Sequence, residues 1–287
     1  MADNVTLSSA VRTNLLSLQK TGDLVNRTNN RLSTGLKVAS AIDDAVAYFQ
    51  AKGLSDRAGD LTGRKDSIDQ AISSVKSAMG GLESVEKILV QMKGVALSAK
   101  SATNEERVDL AEQFNSLATQ LNNLVNDSSY QGLNLINSTA SSLKVEFSDK
   151  TAAVLTIEGV NVTTDQLTGL AVAASGAATG AAGGVAWSSI SSAVSSLDTA
   201  IKALDTAIST VRSNTKSLGT NVALLQTRLD FTKSYVNTLK EGSDKLTLAD
   251  LNEEGANLVS LQTRQQLGIQ ALSFAGQQEQ GVLSLFR

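Results

Sequence analysis

The sequence contains no proline, no cysteine and no histidine. Proline usage near 5% would place about fourteen in a chain of this length, so its absence is a property of the molecule. Proline removes a backbone donor and breaks helices; a chain without it suits long uninterrupted helices. Without cysteine there are no disulfides, thiolate metal sites or cysteine nucleophiles. Without histidine the commonest general base and metal ligand is missing, and with it the serine triad and zinc motifs of the H-E-x-x-H kind. Most hydrolytic chemistry is excluded, and no metal or other cofactor is expected.

Aromatic residues are also scarce, at 3%, leaving a core of Leu, Val, Ile and Ala typical of helical bundles. The net charge is −3 and is spread along the chain. This is not the basic footprint of a nucleic-acid binder, and it does little to keep copies apart. The 287 residues allow one or two domains. Met1 to Thr6 has neither a basic nor an apolar signal-peptide region, so no cleaved leader is expected. Gln166 to Leu197 is uncharged but mostly Ala, Gly, Ser and Thr. A membrane span needs about 20 predominantly apolar residues, so no membrane insertion is expected.

What is present is periodicity. Ile190, Val194, Leu197, Ile201, Leu204, Ile208, Val211, Thr215, Leu218, Val222, Leu225, Leu229, Thr232, Val236 and Leu239 alternate steps of four and three. All but the two threonines are large and apolar. This is a heptad seam about 75 Å long at 1.5 Å per residue. Ile68, Ile72, Val75, Met79, Leu82, Val85, Leu89, Met92, Ala96 and Ala99 form a second stripe. Leu110, Phe114, Leu117, Leu121 and Leu124 form a third, opened by Thr103 or Asn104 as N-cap, with Glu105 and Glu106 suited to the helix dipole. Three helices with such seams make a long antiparallel bundle. Between them, Leu143 to Phe147 alternates with period two, a turn surrounds Ser148 to Thr151, and Val154 to Ile157 returns as a second strand. Val160 to Thr163 is expected to add a third short strand.

Ala171 to Gly184 is low in complexity and reads as a surface connection. At the start, Val11, Leu15, Leu18, Gly22, Val25, Asn29, Leu32, Leu36 and Ala39 step by four and three; at the end, Leu251, Leu258, Leu261, Leu272, Ala275 and Val282 lie on one stripe, with Gln265, Gly268 and Glu279 filling the remaining seam positions. These terminal stripes are interrupted by glycine and carry few charges. Such helices are weak in isolation. They are either an ordinary helix pair docked on the bundle or elements completed by copies of themselves.

Arg31-Leu32-Ser33-Thr34-Gly35-Leu36-Lys37-Val38-Ala39-Ser40-Ala41-Ile42-Asp43-Asp44-Ala45 follows the pattern R-L-S-[ST]-G-x-[RK]-[IV]-x-S-A-x-D-[DN]-A at every specified position. Asn14 to Leu18 is loosely similar to N-x-x-S-L. Ser129 to Ile136 resembles T-x-F-N-G-x-x-L-L, with Tyr130 for Phe and Gln131 for Asn; Gln277 to Arg287 resembles N-Q-x-P-Q-x-V-L-x-L-L-R, with Glu279 or its neighbour for Pro. These motifs, in this order, resemble bacterial flagellin, the filament subunit. Leu54-Ser55-Asp56-Arg57-Ala58 resembles the short alphaproteobacterial type.

The resemblance implies a mainly α fold: a long antiparallel helical bundle with a small β-hairpin region, plus a terminal helix pair forming a coiled coil. It divides the chain into an inner domain of residues 1–42 and 245–287 and a bundle of residues 43–165 and 186–244, with the hairpin at about 143–163. Residues 166–185 replace the outer variable domains. It implies a secreted, extracellular homopolymer for swimming motility. The subunit is exported unfolded by a type III-like route and added at the distal tip beneath the filament cap. Besides itself, its partners are hook–filament junction proteins, an export chaperone and the export apparatus. Val11, Leu15, Leu18, Val25 and Leu32 pair with Leu258, Leu261, Ile269, Leu272 and Leu283 in the inner tube. Arg31, Ser33, Gly35, Lys37, Asp43 and Asp44 shape the link between layers, Gly35 at a backbone turn. For Asp43 and Asp44, helix capping, contact with a neighbouring subunit and a solvated acidic turn all stay open.

Many enteric flagellins carry L-Q-R-V-R-E-L-A-V, recognised by a Toll-like receptor. The corresponding Leu89 to Leu97 has Gln91 for an Arg and Gly94 for the Glu, with Lys93 between them. Losing a guanidinium fork and a carboxylate implies weak receptor activation. The alternative within the flagellum is a hook–filament junction protein with similar terminal helices; a secreted needle or translocator coiled coil is more distant. Flagellins with a metalloprotease need H-E-x-x-H, so an enzyme is not expected.

Overall fold

The computed structural model describes residues 9–148, 153–167 and 193–285. In chain order the elements are α1 (Ser9–Thr34), α2 (Ala45–Ser101), α3 (Asn104–Asp127), β1 (Ser142–Glu146), β2 (Val154–Glu158), α4 (Thr164–Leu167), α5 (Ala193–Thr247) and α6 (Leu251–Leu285). The fold is mainly α with a two-stranded antiparallel sheet. Two compact units divide the chain. One combines the ends, up to Ala58 and from Asn237; the other is Gly59–Val236. The divisions fall inside α2 and α5, further into the chain than the sequence motifs suggest.

In the unit built from the ends, α1 packs on α6. α1 stops because Gly35 takes a left-handed conformation (φ 71°) and its N–H donates to the Arg31 carbonyl at 2.8 Å, an αL cap. Leu36 and Ala39, the last two positions of the N-terminal stripe, therefore lie beyond the helix. Asp250 caps α6, its Oδ1 accepting from the Asn252 amide at 2.9 Å, with Glu253 and Glu254 in the first turn.

In the central unit the heptad prediction becomes an antiparallel α2–α5 pairing. Lys100 pairs with Asp198 (2.7 Å), Lys93 with Asp205, and Glu86 with Arg212 (2.7 Å). Each step of seven along α2 meets a step of seven back along α5, the register of two facing heptad seams. Ile68, Val75, Leu82, Leu89 and Met92 of α2 share one core with Phe114 and Leu121 of α3 and Leu197, Leu204, Val211 and Leu225 of α5. Ile190 and most of the 166–185 connection lie outside the described residues; Gln166 and Leu167 close α4.

Thr103 is the N-cap of α3 and forms a reciprocal capping box with Glu106. Arg107 is buried and donates to the Ala99 carbonyl at 2.9 Å, satisfying an orphan acceptor at the end of α2. β1 and β2 pair from Ser142↔Glu158 to Glu146↔Val154. Their inward residues, Val145 and Ile157, join the core. Asp149 to Thr151 of the connecting turn are outside the described residues. The expected third strand does not form. Gly159 crosses so closely over the Ser138 and Ser141 carbonyls that a Cβ would lie 2.5 and 2.6 Å from them. Beyond it the Val160 and Val162 amides donate to the Leu135 and Ile136 carbonyls, and Asn161 makes an isolated antiparallel bridge with Asn137.

Candidate assembly surfaces

The Arg31–Ala45 segment is a stitched turn. The Lys37 amide donates to the Thr247 carbonyl at 2.7 Å, as does Val38 at 3.2 Å, and the Ala249 amide returns to the Gly35 carbonyl at 2.9 Å. Arg31 Nη1 donates to Glu254 Oε1 at 2.8 Å. Ser33 donates its hydroxyl to the Asn30 carbonyl at 3.0 Å, and the Lys37 side chain is exposed. Asp43 Oδ2 accepts from the Ala39 amide and from both the amide and the hydroxyl of Ser40, at 3.0–3.2 Å. The Ser40 amide is the main cause holding the Asp43 carboxyl below its ordinary value, followed by the Ser40 hydroxyl. Asp44 Oδ1 accepts from the Ala47 amide at 3.0 Å and so caps α2. Both aspartates have work within the chain. No sequence-local signal pointed to Glu254 or Thr247 as partners, because they lie at the other end of the chain.

On α6 the buried or half-buried positions are Glu254, Leu258, Leu261, Gln265, Gly268, Leu272 and Ala275, spaced as a heptad seam, with Gly255 and Gly276 beside its two ends. Opposite stand Val11, Leu18, Val25, Thr28, Arg31 and Leu32 of α1, also buried or half-buried. Gly268 marks the tightest approach: a Cβ there would meet Leu18 Cδ1 at 2.7 Å. Leu15 sits at the margin of the seam and is 38% exposed. Ile269 is one residue past Gly268, off the seam, and 53% exposed. Leu283 belongs to α6, but its side chain lies outside the described residues. Val259, Leu267 and Phe274 are exposed as well. α6 is thus apolar well beyond the face α1 covers, the pattern of a helix buried on several sides. Ile42, in the turn before α2, and Val46 and Phe49, in its first turns, are exposed apolar residues too.

Gln91 and Gly94 are exposed on α2, and Lys93 is engaged by Asp205. Among the described residues no group of acidic side chains could hold a metal ion, and no helix is long and apolar enough to cross a membrane.

Comparison with known proteins bears on these surfaces. The bacterial flagellin N-terminal helical region matches residues 5–141, and the bacterial flagellin C-terminal helical region matches residues 180–286. The chain belongs to the bacterial flagellin family. It is 28% identical to a flagellin of Brucella melitensis over 100% of both chains. It is 30% identical to flagellin FljM of Caulobacter vibrioides over 99% of both. A solved structure of a flagellar hook-associated protein from Vibrio parahaemolyticus superposes with a TM-score of 0.58 at 14% identity, over 72% of this chain and 100% of that one; this likeness is one of fold. The chain is a short flagellin without a large variable domain. As a member of this family it is a structural protein, a self-assembling subunit of the extracellular flagellar filament, and not an enzyme.

Proposed function

We propose that this subunit is exported unfolded through the flagellar channel, adds at the distal tip beneath the cap, and completes its terminal helices only there. The observation that carries this reading is the apolar surface of α6 left uncovered by α1: Val259, Leu267, Ile269 and Phe274. Burying it against neighbouring copies supplies a driving force, offset by the ordering entropy of coupled folding. Val11, Leu15, Leu18, Val25 and Leu32 with Leu258, Leu261, Ile269, Leu272 and Leu283 are the residues of this inner layer, which comprises residues 1–42 and 245–287. Arg31, Ser33, Gly35, Lys37, Asp43 and Asp44 hold its link to the bundle of residues 43–165 and 186–244. The filament cap, the hook–filament junction proteins, an export chaperone and the export apparatus are the partners of this route. Gln91, Lys93 and Gly94 make a poor receptor patch, and a reporter-cell assay with purified monomer should give weak activation; full potency would contradict this.

The test of assembly is direct. Monomer prepared by heat or acid should regrow filaments of uniform diameter from seeds, read by light scattering and electron microscopy. Gly35→Pro should abolish filaments and motility while synthesis continues; normal filaments from that variant would count against the reading.

A further inference from the structure

The hairpin of β1 and β2 has two outer edges. A sheet of two strands is marginal by itself, and an unpaired edge is a template for another strand. The pairing phase shows which groups are unpaired. The Phe147 amide donates to the Ala153 carbonyl at 2.9 Å, and the Gly159 amide to the Ser141 carbonyl at 2.7 Å. With Leu143 opposite Ile157 and Val145 opposite Leu155, the odd-numbered residues spend their backbone groups inside the hairpin. Lys144 and Glu146 of β1, and Thr156 and Glu158 of β2, turn theirs outward. Among the described residues these outward groups have no partner.

The β1 edge opens on a groove of about 420 Å³ between α2 and the Tyr130–Leu133 turn. Leu143, Lys144, Val145 and Glu146, consecutive in β1, all line it. Successive side chains point to opposite faces of a sheet, so the groove follows the strand's edge and not one of its faces. Ser74 of α2 lies in the same lining, 5% exposed, with a hydroxyl that has no partner. Buried polar groups are normally paired. A backbone entering the groove supplies that partner along with the missing ladder.

The occupant must be a strand, and the chain carries one. The family self-assembles, and a filament contact joins two different patches and repeats without closing. The outer edge of β2 is the second patch. Charge sets the register. Glu158 is exposed and makes no ion pair among the described residues. The Lys144 side chain is 64% exposed and approaches Glu146 only at 3.8 Å. We infer that the outer edge of β2 in one copy adds, antiparallel, to the outer edge of β1 in the next. Lys144 then lies opposite Glu158, and Glu146 opposite Thr156. A slip of two residues sets Glu146 opposite Glu158, and like charges directly opposed are unfavourable. Main-chain bonds supply the affinity and the charge pair the register. The inference rests on the filament reading and deepens it.

Amide exchange on the full-length chain reads the ladder directly. In the monomer the Val145 and Leu155 amides should be protected and those of Lys144 and Thr156 open. In seeded filaments Lys144 and Thr156 should slow by about tenfold or more. Thr156→Pro removes an outward donor that the hairpin does not use, a substitution that sheet edges tolerate. It should elongate seeds about tenfold more slowly, while Thr156→Val, which keeps the amide, grows normally. Lys144→Glu and Glu158→Lys should each slow growth, and the two together, which restore opposite charges, should recover it. If Thr156→Pro loses Val145 and Leu155 protection as a monomer, the charge exchange decides. Filaments whose Lys144 and Thr156 amides stay open, normal growth by an intact Thr156→Pro, or a double variant no better than its parents overturns the inference. If the unsubstituted chain does not elongate seeds, the filament reading falls and this inference with it.

Discussion

Arg31 and Glu254 lie 223 residues apart in sequence, yet their side chains meet at 2.8 Å with only 26% and 10% exposure. The pair bolts the last turn of α1 to the first turn of α6, beside the backbone stitches of Lys37 and Ala249. Glu254 also favours the α6 dipole from its first turn. Removing one partner leaves a half-buried charge alone, so Glu254→Ala should cost about 2 kcal/mol. Arg31→Ala/Glu254→Ala should cost less than the sum of the single changes. Amide exchange at Lys37 and Ala249 reports the loss locally, and unchanged protection there would contradict the coupling.

Adjacent glycines on α2 have opposite expected outcomes. A Cβ at Gly80 meets nothing within 4 Å, whereas one at Gly81 meets Ser128 Oγ at 2.7 Å and Ile136 Cδ1 at 2.8 Å. Gly80→Ala should stabilise by about 1 kcal/mol through helix propensity. Gly81→Ala should destabilise, because the end of α3 would have to retreat from a packed core. Thermal unfolding of the two variants separates them by sign.

Gln131 is the non-glycine residue at positive φ among the described residues, at 50°, followed by Gly132 at 82°. Tyr130 and Leu133 exchange hydrogen bonds across them at 2.9 and 3.0 Å, the geometry of a two-residue hairpin turn that favours Asn-Gly. Gln131→Asn should stabilise by about 0.5 kcal/mol, since Asn tolerates this conformation better. Gly132→Ala should cost about 1–2 kcal/mol. Equal melting temperatures for the two variants would rule out the strain.

These outcomes also explain what could be read in advance. The α5 seam was legible because twelve large apolar residues repeat along it regardless of context, and the Thr103 capping box because its parts lie three residues apart. Gly35 was legible because a glycine inside the Arg31–Ala45 motif is the residue that accepts positive φ at least cost. Arg31–Glu254 and Arg107 on the Ala99 carbonyl were not, because pairing across distant chain segments leaves no local trace. The unit divisions at Ala58 and Val236 were hidden by helical periodicity that continues through them. Val160 to Thr163 has the composition of a strand, but it makes only an isolated bridge, Asn161 with Asn137, and gives its Val160 and Val162 amides to Leu135 and Ile136.

The Asp43 clasp should respond to acid. Its carboxyl is held below 3.8 chiefly by the Ser40 amide and then by the Ser40 hydroxyl. A depressed carboxyl contributes stability that is present above its unfolded value and lost as pH falls through the lower folded value. The Ser40 amide resonance should therefore titrate with a midpoint below 3.8. Asp43→Asn should abolish that titration and already show faster Ser40 exchange at neutral pH. A midpoint at or above the ordinary value would contradict the clasp.

Ile269 and Leu272 separate folding from assembly. Leu272 is half-buried on the α1 seam, so Leu272→Asp places a charge in the intramolecular contact and should disrupt the helix pair as well as the filament. Ile269 is 53% exposed in the single chain. Ile269→Ser should leave monomer stability within about 0.5 kcal/mol, as for surface substitutions generally. If neighbouring copies bury that side chain, its loss removes about 1.5–2 kcal/mol of transfer free energy per subunit. The critical concentration for seeded growth should then rise on the order of tenfold or more. A variant with native helicity and an unchanged critical concentration would show that the outer face of α6 stays in solvent, and the inner-layer assignment of Ile269 would have to be withdrawn.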